Sequence, residues 1–274
     1  MMRMSGILGV MVCALLMSLP VMGQDIPVTE GVNEAAANAT NPLAFVTKLQ
    51  VQPNFTWMDN NGRQLNLTSR IIQPSKSIGL PFFKSKDPSK VYTLYRLEVP
   101  IIGQTLPENN AVNATGLGDL ILLDVIAFKQ KWGLLGAGPG LIIPVMKPEP
   151  ISSRKWAAGA TVVALNTMTK GLQWGALAQQ FFSFGGDDNR PAQSFMLFQP
   201  IFNKMLGGGK FIQFNPIMNF NWTNSTFNIP LGISYGKAFA KNLSVSVGGE
   251  YTVSGPGQGD FTFRFNLNTM FPAS

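Results

Sequence analysis

Six charged residues, Lys48, Arg70, Arg96, Glu98, Glu250 and Arg264, fall where the side-chain alternation of a strand gathers them on one face, opposite apolar neighbours. Set inside a barrel, such a group does one of two jobs. It forms a charged constriction that selects solutes, or its members pair with one another and fill the interior. Both readings stay open from the sequence. A second charged stretch, "GGDDNRP" at 185–191, places Asp187 and Asp188 beside Arg190. The two carboxylates could hold a divalent cation or gate a barrel mouth with Arg190 as partner, and the plainer alternative is a polar turn that ends a strand.

Covalent chemistry has little to stand on. The chain has no histidine and one cysteine, Cys13, inside an N-terminal apolar run. A Ser–His–Asp triad, a Cys–His dyad and a histidine zinc site are therefore excluded. We expect no catalytic residue, metal or cofactor, and no enzymatic activity. "GLGD" at 116–119 lacks the Lys-Ser/Thr of a phosphate loop, so Asp119 reads as a rim or hydrogen-bonding residue. No basic run or aromatic–basic interleaving points to nucleic acid.

The elements that must position these residues follow from alternation. In "KFIQFNPIMNFNW" (210–222) the even positions from Ile212 to Trp222 are apolar, and Gln213, Asn215, Asn219 and Asn221 are amides. "KLQVQPNFTW", "NLSVSVGGEYTVS" and "FTFRFNLNTMF" repeat the pattern. A soluble sheet turns Lys, Glu and Asp outward, yet only 13% of this chain is charged, against about 25% in ordinary globular proteins. Runs of about ten residues approach the length of membrane strands. The strand charges named above all lie on polar faces and the apolar faces carry none, as the cost of a lipid-facing charge requires.

Twelve strands are expected, at 45–57, 64–72, 91–102, 118–128, 132–144, 155–167, 172–184, 193–205, 210–222, 226–236, 242–254 and 260–271. The fourth to seventh alternate poorly. Turns are short on one side and loops longer on the other, with one exception. The long connection at 73–90 falls on the short-turn side, as a flap, a plug or a sign that the first strands are misplaced. Prolines 53, 200, 216 and 230 lie inside strands, where each removes a ladder donor. Trp57, Trp132, Trp222, Tyr235 and Tyr251 suit interfacial girdles.

The N-terminus, "MMRMSGILGVMVCALLMSLPVMGQ", has the layout of a cleavable signal peptide, with cleavage expected after Gly23. Residues 24–41, polar and small, read as a flexible periplasmic leader, and 42–274 as the barrel.

Several stretches, in order, resemble the bacterial outer-membrane family labelled meta-pathway phenol-degradation transporters. They include "TNPLAFVTKLQVQPNF" (40–55), "TGLGDLILLDVIAF" (115–128), "GAGPGLIIPV" (136–145), "GALAQQFFSFGGDDNRP" (175–191) and "IPLGISYGKAF" (229–239). The resemblance implies an exported barrel that handles hydrophobic or aromatic compounds. Unlike the common barrel pattern, the terminal aromatic Phe271 is followed by three more residues.

The expected fold is thus all-β, a transmembrane up-and-down antiparallel β-barrel of about twelve strands in the bacterial outer membrane. Its expected partners are outer-membrane lipid, the barrel-assembly machinery and a small-molecule solute. The alternatives are a non-conducting structural or adhesive barrel and a soluble secreted β-sandwich that binds a ligand.

Overall fold

The computed structural model describes residues 28–78, 83–84, 87, 89–105, 114–145 and 151–273. The expected signal peptide, 1–23, lies outside them. Helix α1 (Val28–Thr40) precedes the strands. The wall begins with β1 (Val46–Trp57) and β2 (Arg63–Ser75), followed by a small hairpin, β3 (Ser77–Ile78) and β4 (Phe83–Lys84). It continues through β5 (Val91–Thr105), β6 (Ala114–Leu117), β7 (Leu120–Gln130), β8 (Gly133–Ile143), β9 (Lys155–Asn166) and β10 (Leu172–Gly186). The remaining strands are β11 (Ser194–Gly207), β12 (Lys210–Phe214), β13 (Met218–Asn221), β14 (Thr226–Ala240), β15 (Leu243–Ser254) and β16 (Phe261–Pro272).

Each wall strand pairs antiparallel with its neighbours, and β1 pairs with β16 as well as β2, which closes the ring. β6 and β7 share one stave against β5, and β12 and β13 share another between β11 and β14. With these two broken staves counted once each, the barrel has twelve strands. Closure removes the sheet edges that would otherwise expose unpaired backbone to lipid. The β-sandwich alternative is set aside, because a single ring replaces two facing sheets.

The start of the first wall strand and the end of the last meet at one end of the barrel, where Val46 pairs with Pro272. The alternation expected from sequence sets the two faces. Along β12 and β13, Gln213, Asn215 and Ile217 line the interior, and Trp222 is exposed on the outside. The outward face is apolar all round, including Ile71, Ile101, Val162, Phe202, Leu231 and Phe263. Trp57, Tyr235 and Tyr251 lie on it, and Trp132 and Trp222 are exposed in turns next to strand ends.

The strand prolines coincide with gaps in the ladder. Pro53 falls between the pairs Val51–Leu267 and Asn54–Arg264, and Pro230 sits at a register shift against β15. Pro216 occupies the break between β12 and β13, opposite Pro200 on β11. Residues without an N–H are thus placed where none is needed.

One expectation near the N-terminus is corrected. The leader at 24–41 is not flexible over its described part: Val28–Thr40 is helix and packs inside the barrel. The run "NEAAANA" favours a helix by its alanines, and Glu30 in the first turn suits the positive end of the helix dipole. Its small side chains let it fit against the wall, with Val32, Ala35 and Ala36 packed on Phe211, Ala238 and Met270. Gly236 makes room there, since a Cβ at that position would run into the Phe211 ring. Among the described residues α1 is therefore the element that fills the barrel end. The β3–β4 hairpin of the 73–90 connection lies beside β5 instead. The first two strands pair as expected, so that long connection is no sign of their misplacement.

Candidate functional site: a divided lumen

The interior has two unlike halves. On the side of β7 to β10 it is mostly apolar, with Thr161 and Gln179 bonded to each other among the apolar side chains. Leu123, Val125, Val163, Leu165, Leu177 and Phe181 are buried there and meet Leu43, Tyr92 and Leu94 from the other side. Gly136 lies close under Leu43, and Gly140 under Leu123 and Phe181, so neither position has room for a larger side chain. Tyr92 donates its hydroxyl proton to the Leu43 carbonyl, fixing the segment that joins α1 to β1.

The other half is polar and holds all six strand charges singled out from the sequence. Arg70 on β2 and Glu98 on β5 are directly opposite in register. They form a two-pronged ion pair, Nε to Oε2 at 2.7 Å and Nη2 to Oε1 at 3.2 Å. Arg96, two residues along β5 on the same face, also donates to Glu98 Oε2. Arg70 Nη1 donates to Gln52 Oε1 at 2.8 Å. On the other side of β1, Arg264 Nη2 on β16 pairs with Glu250 Oε1 on β15 at 2.7 Å. Five of the six charges are thus joined in ion pairs.

Lys48 does something the sequence reading did not foresee. Its ammonium donates to the carbonyls of Asn38 at 2.8 Å, Ala39 at 3.2 Å and Asn41 at 3.2 Å. These belong to the C-terminal end of α1 and the residue just past it, where carbonyls lack helical partners and the dipole is negative. Lys48 is a clamp on the helix. A second set of bonds holds the same end. Thr40 Oγ1 donates to Gln173 Oε1 at 3.0 Å, Gln173 Nε2 to the Ala37 carbonyl at 3.2 Å, and Asn203 Nδ2 to the Thr40 carbonyl at 3.2 Å. At the other end of α1, the Gly209 N–H donates to Asn33 Oδ1 at 2.9 Å.

Above the helix end a cavity of about 100 Å³ remains in the polar half. Its charged lining is Lys48, Arg70, Arg96 and Arg264, among amides such as Gln50 and Asn266. That is space for several water molecules. A smaller apolar cavity of about 30 Å³ adjoins it and shares Pro42, Ile72 and Arg96 with it.

At the opposite end the charged loop cluster resolves into a turn. Asp187 Oδ2 pairs with Arg154 Nη1 at 2.9 Å, and its Oδ1 accepts from the backbone N–H and amide of Asn189. Arg190, the expected partner, also acts through its charge on the Asp187 carboxyl and donates its backbone N–H to the Asp187 carbonyl. Asp188 is exposed. With Asp187 committed to Arg154 and the turn, this geometry is that of a strand-ending turn and not of a cation site. The Asn189 backbone N–H, then its side-chain amide and the charges of Arg154 and Arg190, hold the Asp187 carboxyl below the usual 3.8, against a smaller opposing effect of desolvation. A carboxyl with a depressed folded pKa contributes order above its unfolded value and loses it as pH falls through the folded one. The turn should therefore hold at neutral pH and loosen only below 3.8. Hydrogen exchange of the Asn189 and Arg190 amides should show that acid step in the native chain, and Asp187→Asn should abolish it.

Asp119 takes the hydrogen-bonding role expected of it. Its carboxylate accepts from the Val145 N–H at 3.2 Å, the Ser153 N–H at 2.7 Å and the Ser152 and Ser153 hydroxyls. It ties both ends of the 145–153 loop to the break between β6 and β7.

Among the strand carboxylates one breaks the expected rule, while the outward cations Lys204 and Lys237 stand near strand ends. Leu123, Val125 and Ala127 are buried inward, so the alternation of β7 turns Asp124 to the outer, apolar face. It stands opposite Tyr95 on β5, and its Oδ1 accepts no hydrogen bond. The sequence reading missed it because β7 is apolar on both faces. A lipid-facing carboxylate is costly, though less so than Arg or Lys at about 2–4 kcal/mol. Asp124→Leu should raise the unfolding free energy in lipid vesicles by about 1–2 kcal/mol. Equal or lower stability would show that Asp124 is satisfied where it stands.

No protein-family model matches the chain, and no curated protein matches it. Among solved structures it is similar to an outer-membrane channel from Pseudomonas putida F1, with a TM-score of 0.66, 10% identity, 92% of this chain covered and 99% of that one. It is also similar to outer-membrane phospholipase A from Escherichia coli, with a TM-score of 0.48, 10% identity and 88% and 98% covered. The translocator domain of an autotransporter from Neisseria meningitidis has a TM-score of 0.48 at 11% identity, with 87% and 93% covered. Identities this low speak to the fold alone, and the first of these structures shares the whole course of the barrel.

Proposed function

We propose that this protein is an outer-membrane channel for a small hydrophobic or aromatic compound, passed without covalent chemistry. The observation that carries the reading is the divided lumen. Open porins have a polar interior, whereas here the inner side of β7 to β10 is a packed, mostly apolar surface facing a wet cavity. A compound with an apolar body finds a surface there that a water-filled pore lacks. The N-terminal signal pattern supports export and the apolar outer face supports insertion in lipid by the assembly machinery. The sequence resemblance to the phenol-degradation transporters supports the aromatic class of solute.

The test compares uptake of labelled toluene and phenol by cells that carry or lack the folded protein in a lipopolysaccharide-bearing outer membrane. Faster initial uptake with the protein supports the channel. Equal uptake, with the barrel shown to be folded and inserted, sinks it. The seated helix favours a second reading, a non-conducting structural barrel, because α1 occupies the end of the lumen where β1 begins and β16 ends. Bilayer recordings separate the two: a structural barrel inserts and stays silent.

A further inference from the structure

We propose that the lumen contains a binding site for a small organic monocarboxylate with a compact apolar body. This deepens the channel reading and rests on it only for the idea that the lumen meets a solute. The charge count gives the sign. All four charged side chains that line the larger cavity are cationic, while Glu98 and Glu250 stand behind them in ion pairs. Lys48 is spent on the carbonyls of α1. Among the guanidiniums, Arg70, Arg96 and Arg264 face two carboxylates, so one of their positive charges is uncompensated, beside that of Lys48, in a partly enclosed space. An uncompensated charge there is costly, and one bound anion removes the cost.

The hydrogen-bonding capacity agrees. Arg96 and Arg264 each keep a buried Nε without an acceptor. A guanidinium presents its donors as a planar fork that fits a carboxylate in two-pronged fashion.

The shape adds the second half of the ligand. The adjoining apolar cavity is bounded by Leu94, Leu123, Val163 and Leu177, and Arg96 stands on the boundary of both spaces. A carboxylate held by Arg96 directs its substituent onto that apolar wall. A bare inorganic anion uses only the charged part, a neutral aromatic only the apolar part, and an organic carboxylate both.

Fluorine NMR line broadening of small probes, added to the full-length mature chain in maltoside micelles and corrected with empty micelles, tests this. Para-fluorobenzoate should bind saturably. Para-fluorobenzyl alcohol and trifluoroacetate, which lack the charge and the ring respectively, should each bind about tenfold more weakly, a difference of about 1.4 kcal/mol. Para-fluorobenzylamine should not bind. Arg96→Gln should weaken benzoate binding about tenfold while leaving the alcohol unchanged. Arg264→Gln serves as the second variant, with heat-modifiable gel mobility confirming that each barrel is folded. Equal binding of the three aromatic probes overturns the site. So does trifluoroacetate binding as tightly as benzoate, which marks a simple anion site, or benzoate binding that ignores both substitutions. Benzoate bound without toluene or phenol uptake leaves the site standing and removes the channel; uptake without carboxylate preference does the reverse.

Discussion

Replacing Lys48 with methionine is expected to unseat helix α1 and to raise single-channel conductance several-fold. The helix is held mainly by polar contacts, because its buried side chains are small: Val32, Ala35 and Ala36 offer far less apolar area than a run of leucines. Lys48 supplies three charge-assisted bonds to carbonyls that have no other partner within the helix. Methionine preserves much of the volume and removes the donors. The loss is about 3 kcal/mol by the usual cost of breaking buried charge-assisted bonds. That is enough to change a seated helix into one that is frequently released. Lys48→Arg, which keeps a donor, should stay closer to native. Deleting residues 28–40 sets the upper limit, since it removes an element about 10 Å across from the lumen. Limited proteolysis within 28–41, run beside the bilayer recordings, reports release directly. Native conductance together with native protease resistance in the methionine variant would show that the Gln173, Asn203 and Gly209 bonds suffice alone.

The wall was legible because the chemistry on its two sides differs. Wherever lipid lies outside and amides or charges lie inside, as along Gln213 to Trp222, the sequence alternates and the strand can be placed from it. The poor alternation of the fourth to seventh segments has a physical cause in the structure. The inner faces of β7 and β8 are nearly as apolar as their outer faces, and those of β9 and β10 mix Val163, Leu165, Leu177 and Phe181 with Thr161, Gln173 and Gln179, so the period-two signal fades. The same fading hid Asp124, whose facing cannot be judged without a polar neighbour row for reference. The prolines looked anomalous in sequence and are ordinary in the ladder, since gap positions are set by pairing between strands distant in the chain. Helix α1 was misread for another reason. A helix built to lie inside a barrel has small residues where a surface helix has large apolar ones, so no wide apolar stripe announces it. The role of Lys48 followed it out of sight, because its partners are main-chain carbonyls, which no side-chain pattern reveals. Alternation gathers Arg70, Arg96, Glu98, Glu250 and Arg264 on one face, but their ion pairing depends on register across β2, β5, β15 and β16.

The same register makes Glu98 the member of that group whose loss should cost most. Its carboxylate accepts from two guanidiniums at once, Arg70 from the facing strand and Arg96 from its own. Glu98→Gln keeps the shape and one acceptor but removes the charge, leaving Arg70, Arg96 and Arg264 with Glu250 as their remaining carboxylate. Breaking one side of a buried ion pair costs about 3–5 kcal/mol, and the water-sized space beside the cluster places the expected loss near the lower limit, about 3 kcal/mol. Urea unfolding in lipid vesicles, followed by tryptophan fluorescence, measures it. Arg96→Gln combined with Glu98→Gln should recover part of that loss, because the second substitution removes a charge that the first left unpaired. A strictly additive double variant would mean that water already screens the pair and that the cluster contributes little to the wall. If the coupling is found, the single variant carries a second consequence. Its lumen holds one more uncompensated positive charge, so the ratio of chloride to potassium permeability should rise above that of the native protein in a salt gradient. A ratio unchanged in a folded Glu98→Gln barrel would show that ions crossing the lumen do not pass within reach of this cluster.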